Sequence, residues 1–180
     1  MKNLNMFLGL TVLAILISVL SPVTASAQTI DKLTYRECNM VFPWADDIQF
    51  LQTKGGDSYC TAWFRGLGGG EDVPEFFGYV FVRDIFVEGE QIKLLVGLKP
   101  DGRIAKLKVF GAYPVSTEFL SEFKGRSLTD GVEIASGHED LLYIPSKIRA
   151  IHGEVELSRK ISAAVKQVLI SASDMPKQAE

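Results

Sequence analysis

Between residues 91 and 110 polar and apolar residues alternate in two runs, "QIKLLVGL" (Gln91–Leu98) and "RIAKLKVF" (Arg103–Phe110), separated by "KPDG". Alternation with period two marks a strand whose faces meet different surroundings, and Pro-Asp-Gly is turn chemistry. The two runs therefore predict an antiparallel hairpin. In its second arm Lys106 and Lys108 share one face while Leu107 lies on the other, which predicts a sheet with one wet face. "SYCTAWFRGL" from Ser58 and "FFGYVFV" from Phe76 to Val82 add two strands. Between them Gly68–Gly70, followed by Glu71, Asp72 and Pro74, predict a flexible loop.

Helical spacing appears in three places. "STEFLSEFKG" (Ser116–Gly125) has Ser116 as a cap, Glu118 in the first turn, Phe119, Leu120 and Phe123 on one face, and Gly125 as a stop. From Leu157 to Ser171 the apolar residues Leu157, Ile161, Val165, Val168 and Leu169 recur at helical intervals, with Arg159, Lys160 and Lys166 outside. "DKLTYRECNMVF" (Asp31–Phe42) predicts a short helix that stops before Pro43. The stretch from Arg126 to Ile151 reads as irregular, with "LLYIP" as a brief strand, and the tail "DMPKQAE" as frayed. Strands followed by helices predict an α+β fold: an antiparallel sheet with short helices packed on one face and a C-terminal amphipathic helix.

The N-terminus changes the picture of where this domain works. Lys2 precedes an apolar run from Met6 to Leu20, and small residues follow, ending "ASAQ". That order reads as a secretory signal peptide over residues 1–27, cleaved after Ala27, or as an uncleaved N-terminal membrane anchor. Under either reading residues 28–180 form one domain outside the cytoplasm, periplasmic or extracellular. The net charge of −3 and the lack of a basic run argue against nucleic acid as a partner. Cys38 and Cys60 read as one disulfide in an oxidising compartment, or as two unrelated thiols. No C-x-x-C-H and no metal-ligand spacing occurs, so neither haem nor metal is expected.

In this order several segments resemble the FMN-binding domain found in the flavin-carrying subunits of the Rnf and sodium-pumping quinone oxidoreductase complexes. They are "VFPWAD" (Val41–Asp46), "GYVFV" from Gly78, the hairpin "IKLLVGLKPDGRIAKLKVF", "FLSEFKGRS", and the final "SRKISAAVKQVL". In that family a D-x-x-S-G-A-T-x-S-S segment precedes the last helix, and its threonine carries FMN as a phosphoester. In register with Ser158, Arg149 stands at the aspartate position, His152 at the serine, Gly153 at the glycine, Glu154 at the alanine and Val155 at the threonine. Valine has no oxygen, so the family's covalent link is excluded in this register. A second register, on "IASGHED", aligns Ser136 and Gly137 and puts Glu139 at the acceptor position. "AYPVSTEF" (Ala112–Phe119) stands where the family has E-T-P-G and keeps only Pro114.

The resemblance implies FMN held without a covalent bond, with His152, Gly153, Ser158 and Arg159 as its binding residues and a membrane-bound or exported redox partner. A helix start offers free N–H groups and a positive dipole end to a phosphate, while Glu154 and Glu156 bring opposing charge. A well-capped packing helix that holds nothing is the alternative reading of the same residues. The matching functional alternative is a flavin-free interaction or assembly subunit. Trp44, Trp63, Tyr79 and Phe81 are candidates for an aromatic floor or for ordinary core. "GLGGG" (Gly66–Gly70) has the composition of a phosphate cradle without its Lys-Ser/Thr, and no hydrolase motif is present.

Overall fold

A computed structural model describes residues 33–66, 74–144 and 147–175. The expected signal segment, the loop glycines at 68–70 and residues 176–180 of the tail lie outside the described residues. The chain forms a helix α1 (Tyr35–Val41) and then five strands: β1 (Asp47–Gln52), β2 (Ser58–Phe64), β3 (Glu75–Val87), β4 (Glu90–Leu98) and β5 (Ile104–Phe110). Three helices follow, α2 (Thr117–Ser121), α3 (His138–Tyr143) and α4 (Val155–Ser173). The strands make one antiparallel sheet in the order β1-β2-β3-β4-β5, so every strand neighbours its sequence neighbour. The α+β class expected from the pattern is the one observed.

Parity along β3 and β4 sorts the core. Phe81, Ile85, Ile92, Leu94, Val96 and Leu98 point to one face, where they meet Phe119 and Phe123 near α2 and Leu157, Ile161, Val165 and Val168 of α4. All five apolar positions predicted from the spacing of the last helix are buried there. Val80, Val82 and Leu95 point to the other face, which α1 covers with Cys38 and Val41. Helices thus lie on both faces, and the face expected to be wet is dry at its centre. Gly97 allows this, because a Cβ there would run into Val41 Cγ1. Lys106, on this face with Lys108, donates to the Met40 carbonyl in the last turn of α1 at 2.9 Å.

Helix α1 is seven residues long and is held by more than its small apolar face. Thr34 and Glu37 form a reciprocal capping box at its start. Glu37 also pairs with Lys93 at 3.1 Å, and a disulfide joins Cys38 to Cys60 of β2. Both cysteines are fully buried.

Two elements differ from expectation for local reasons. Strand β1 was not anticipated: its last four residues are exposed on both faces, so no alternation marks it. "LLYIP" is no strand, since Leu141–Tyr143 belong to α3. The cause is Asp140 in the first turn of α3, whose carboxylate reaches back to the Ser136 amide at 2.7 Å and fixes a helix start. The nearby bridge is formed instead by Ile134 and Ile148.

Candidate functional site

The site begins with that bridge. Ala135 N donates to Ile148 O at 2.9 Å and Ile148 N to Glu133 O at 2.8 Å, so the two segments run parallel. Parallel segments leave a bridge in the same direction, which carries Ser136-Gly137 and His152-Gly153 to the same place. There they line an open pocket of about 350 Å³ at the head of α4, with Arg149 and Val155 beside them. The two alternative registers of the signature-like sequence are therefore two walls of one pocket.

Each wall is tied down by polar groups. Asp140 accepts from Ser136 N and from Lys147 Nζ (2.9 Å), and those two partners hold its carboxyl below the ordinary aspartate value. Glu122 Oε2 accepts from Arg149 N at 2.9 Å. The turn from Ile151 to Glu154 closes with Glu154 N on Ile151 O at 3.0 Å. Its third residue, Gly153, has φ +78°, the left-handed value a type II turn needs at that position.

Ser158 sets the angle between this turn and the helix. Its hydroxyl accepts from Ile151 N at 2.9 Å and donates to Glu154 O at 2.8 Å, and the residue is fully buried. Both roles of the hydroxyl are filled by backbone, so Ser158 supports the pocket and does not line it. Arg159 is exposed on α4 outside the pocket lining. Of the four residues expected to bind, His152 and Gly153 are at the pocket, while Ser158 and Arg159 are not in its walls.

Arg149 is the residue that sequence reasoning passed over. It stands at the family's aspartate position and so reads as a loss. In the structure it is exposed, lines the pocket, and makes no ion pair among the described residues. The amides of Val155, Glu156 and Leu157 have no acceptor among the described residues, as the first turn of a helix requires. Glu154 caps α4 with no side-chain hydrogen bond, and Glu156 is answered by Lys160 at 3.0 Å. Arg149, His152 and Val155 line the pocket, and the start of α4 that follows carries free N–H donors and two exposed carboxylates, one of them ion-paired.

The remaining candidates lie elsewhere. Phe81 and Tyr79 are core, Trp63 packs against Phe76 with ring centroids 4.5 Å apart and planes tilted by 41°, and Trp44 is 79% exposed in the turn after α1. The four do not form one floor. A second cavity of about 460 Å³, at the C-terminal end of α4, is lined by Asp57, Tyr59, Ser171 and Asp174. Burial raises Asp57, but hydrogen bonds from Arg83 and Ser171 and the charge of Arg83 outweigh it and hold the carboxyl low. Lys54 stands in the same wall, and Arg83 pairs with Asp57 at 2.5 Å.

No known protein family and no curated protein matches the sequence. Among the described residues no group of three or more His, Cys, Asp or Glu side chains could hold a metal ion, and no helix is long and apolar enough to cross a membrane.

Proposed function

We propose that the chain is an exported domain of the FMN-binding type, which holds the flavin without a covalent bond and passes electrons between membrane-bound or exported partners. The observation that carries this reading is the convergence of Ser136-Gly137 and His152-Gly153 on one pocket at the head of a 19-residue helix. In this reading the amides of Val155, Glu156 and Leu157 and the Arg149 guanidinium hold the phosphate, with His152 as a further hydrogen-bonding group. Val155 begins the helix beside the pocket and offers no oxygen for an ester. The pocket volume is at the small end of the usual range of roughly 300–1,000 Å³, which suits the phosphate and part of the ribityl chain, with the ring system reaching outward. Bound flavin supplies the redox chemistry, and the protein positions it.

Export is supported by the charged, apolar and small-residue order of the N-terminus and by the buried disulfide, which oxidising compartments favour. The test is the visible absorption spectrum of protein purified from the exported fraction, taken again after denaturation and filtration. A flavin band that passes the filter is the expected result. A colourless protein that takes up no added FMN would reject the reading and leave the flavin-free interaction or assembly subunit in its place.

A further inference from the structure

The sheet ends in two edges, and they are finished differently. At β5 the chain leaving α2 bonds to the first strand residue: Ile104 N donates to Arg126 O and Gly125 N to Ile104 O, both at 2.8 Å. Lys106 and Lys108 stand along the same strand, and a register shift at Gly97/Leu98 interrupts its pairing. Charge, irregularity and cover are the devices by which proteins keep an edge from pairing.

Strand β1 carries only one of them, a single charge at its first residue, Asp47, which pairs with Arg65 at 2.6 Å. From Ile48 to Gln52 it reads "IQFLQ", without a charge or proline, and its pairing with β2 is unbroken. Phe50 is 50% exposed and Leu51 40% exposed, on opposite faces. Thr53 N donates to Asp57 O at 2.9 Å, which marks that pair as a bonded one. Bonded pairs alternate in an antiparallel ladder, so the odd-numbered residues of β1 bond to β2. Ile48, Phe50 and Gln52 then turn their N–H and C=O groups outward. Among the described residues nothing bonds to those groups.

We propose that this edge binds a second copy of the chain, β1 against β1, antiparallel about a two-fold axis at Phe50. A row of three outward backbone donors and acceptors recognises extended backbone, and the symmetry fixes the register. A two-fold axis normal to the sheet keeps residues of one face opposite each other. The symmetric alignment that engages all three outward residues pairs Phe50 with Phe50 and Ile48 with Gln52, making about six backbone hydrogen bonds. The antiparallel alignment also brings the end of β1 that carries Asp46 and Asp47 beside the β1–β2 turn of the other copy, which carries Lys54, so charges of opposite sign approach at both ends of the pair. The interface is small, so association depends on protein concentration. This inference is independent of the flavin reading.

Sedimentation of the exported protein across a concentration series tests it, together with Phe50→Lys, which sets two like charges on the axis. Wild type is expected to pass from monomer to dimer, and Phe50→Lys to weaken that association at least tenfold, with an unchanged circular dichroism spectrum. Cysteine scanning reads the register without relying on that variant. Phe50→Cys should cross-link to itself under mild oxidant, since a bonded antiparallel pair sets Cα atoms about 5.5 Å apart. Gln52→Cys should not, because it lies opposite Ile48. A wild type that stays monomeric, a dimer that survives Phe50→Lys, or equal cross-linking of the two cysteine variants would each overturn the proposal.

Discussion

The sheet and the pocket at the head of α4 are held by opposite means. The sheet is fixed by burial: Phe81, Leu94, Leu95, Val96 and Ile161 are fully buried, and neighbouring strands follow each other in sequence. The pocket is fixed by single polar ties, namely Asp140 on Ser136 N, Glu122 on Arg149 N, and Ser158 on both sides of one turn. Burial is additive over many atoms, so the loss of one side chain is costly to stability but leaves the rest of the core in place, whereas a tie is one group wide. The pocket is therefore where a modest change in stability translates into a large change in binding.

The largest effect should come from the sheet side. Phe123→Ala or Ile161→Ala removes a fully buried side chain and should destabilise the fold by about 3–4 kcal/mol, read from urea unfolding. Replacing both Cys38 and Cys60 by serine opens a link 22 residues apart in sequence and should cost about 3 kcal/mol. That loss falls on α1 and its face of the sheet, so FMN affinity of the folded protein should be unchanged. A loss of affinity comparable to that of a pocket variant would erase the distinction between the two regions.

On the pocket side, Ser158→Ala removes one hydroxyl and leaves the Ile151 amide without its partner, at a cost of about 1–2 kcal/mol. The turn that carries His152 and Gly153 then loosens, so FMN affinity should fall by more than the stability change alone explains. Arg149→Ala should shift stability by less than about 0.5 kcal/mol. It should nevertheless weaken FMN about tenfold, as calorimetry would show.

Acid gives a condition that presses on both regions. Thr34 and Lys93 outweigh the burial that raises Glu37. Lys166 holds Glu133 low, Lys147 and Ser136 hold Asp140 low, and Arg83 and Ser171 do the same for Asp57 against burial. A lowered carboxyl binds fewer protons folded than unfolded, so its stabilisation is complete above the ordinary values of 4.5 for glutamate and 3.8 for aspartate. It is lost as pH falls through the lower folded values. Unfolding curves should move little between pH 7 and about pH 5 and shift steeply below about pH 4.

The same contrast explains what the sequence made legible. The hairpin of β4 and β5 announces itself because burial imposes alternation, and α4 because burial imposes helical spacing. Ser116, expected as a cap, accepts from Phe119 N at 3.2 Å. Strand β1 escaped because nothing covers Gln49–Gln52. The extension of β3 past Val82 escapes because Arg83 and Asp84 break an apolar run, although Asp57 pairs with the Arg83 guanidinium at 2.5 Å. In the pocket Gly153 was readable from the turn and from the resemblance. Ser158 looks available in the sequence because its hydroxyl lies near a helix start, whereas in the fold the Ile151 amide and the Glu154 carbonyl occupy it. Arg149 was invisible as a binding group because a one-dimensional register compares it with the residue it replaces, not with the space it faces. The start of α1 is marked in the sequence by "T-x-x-E" at Thr34–Glu37, the spacing of a capping box.

The central claim is that the head of α4 receives the phosphate of a flavin. Calorimetric titration of the exported protein with FMN and, separately, with riboflavin tests it most directly, since the two ligands differ only in that phosphate. FMN should bind at least tenfold more tightly than riboflavin, and the difference should vanish in Arg149→Ala. Equal binding of the two ligands, or binding of neither, would contradict the account.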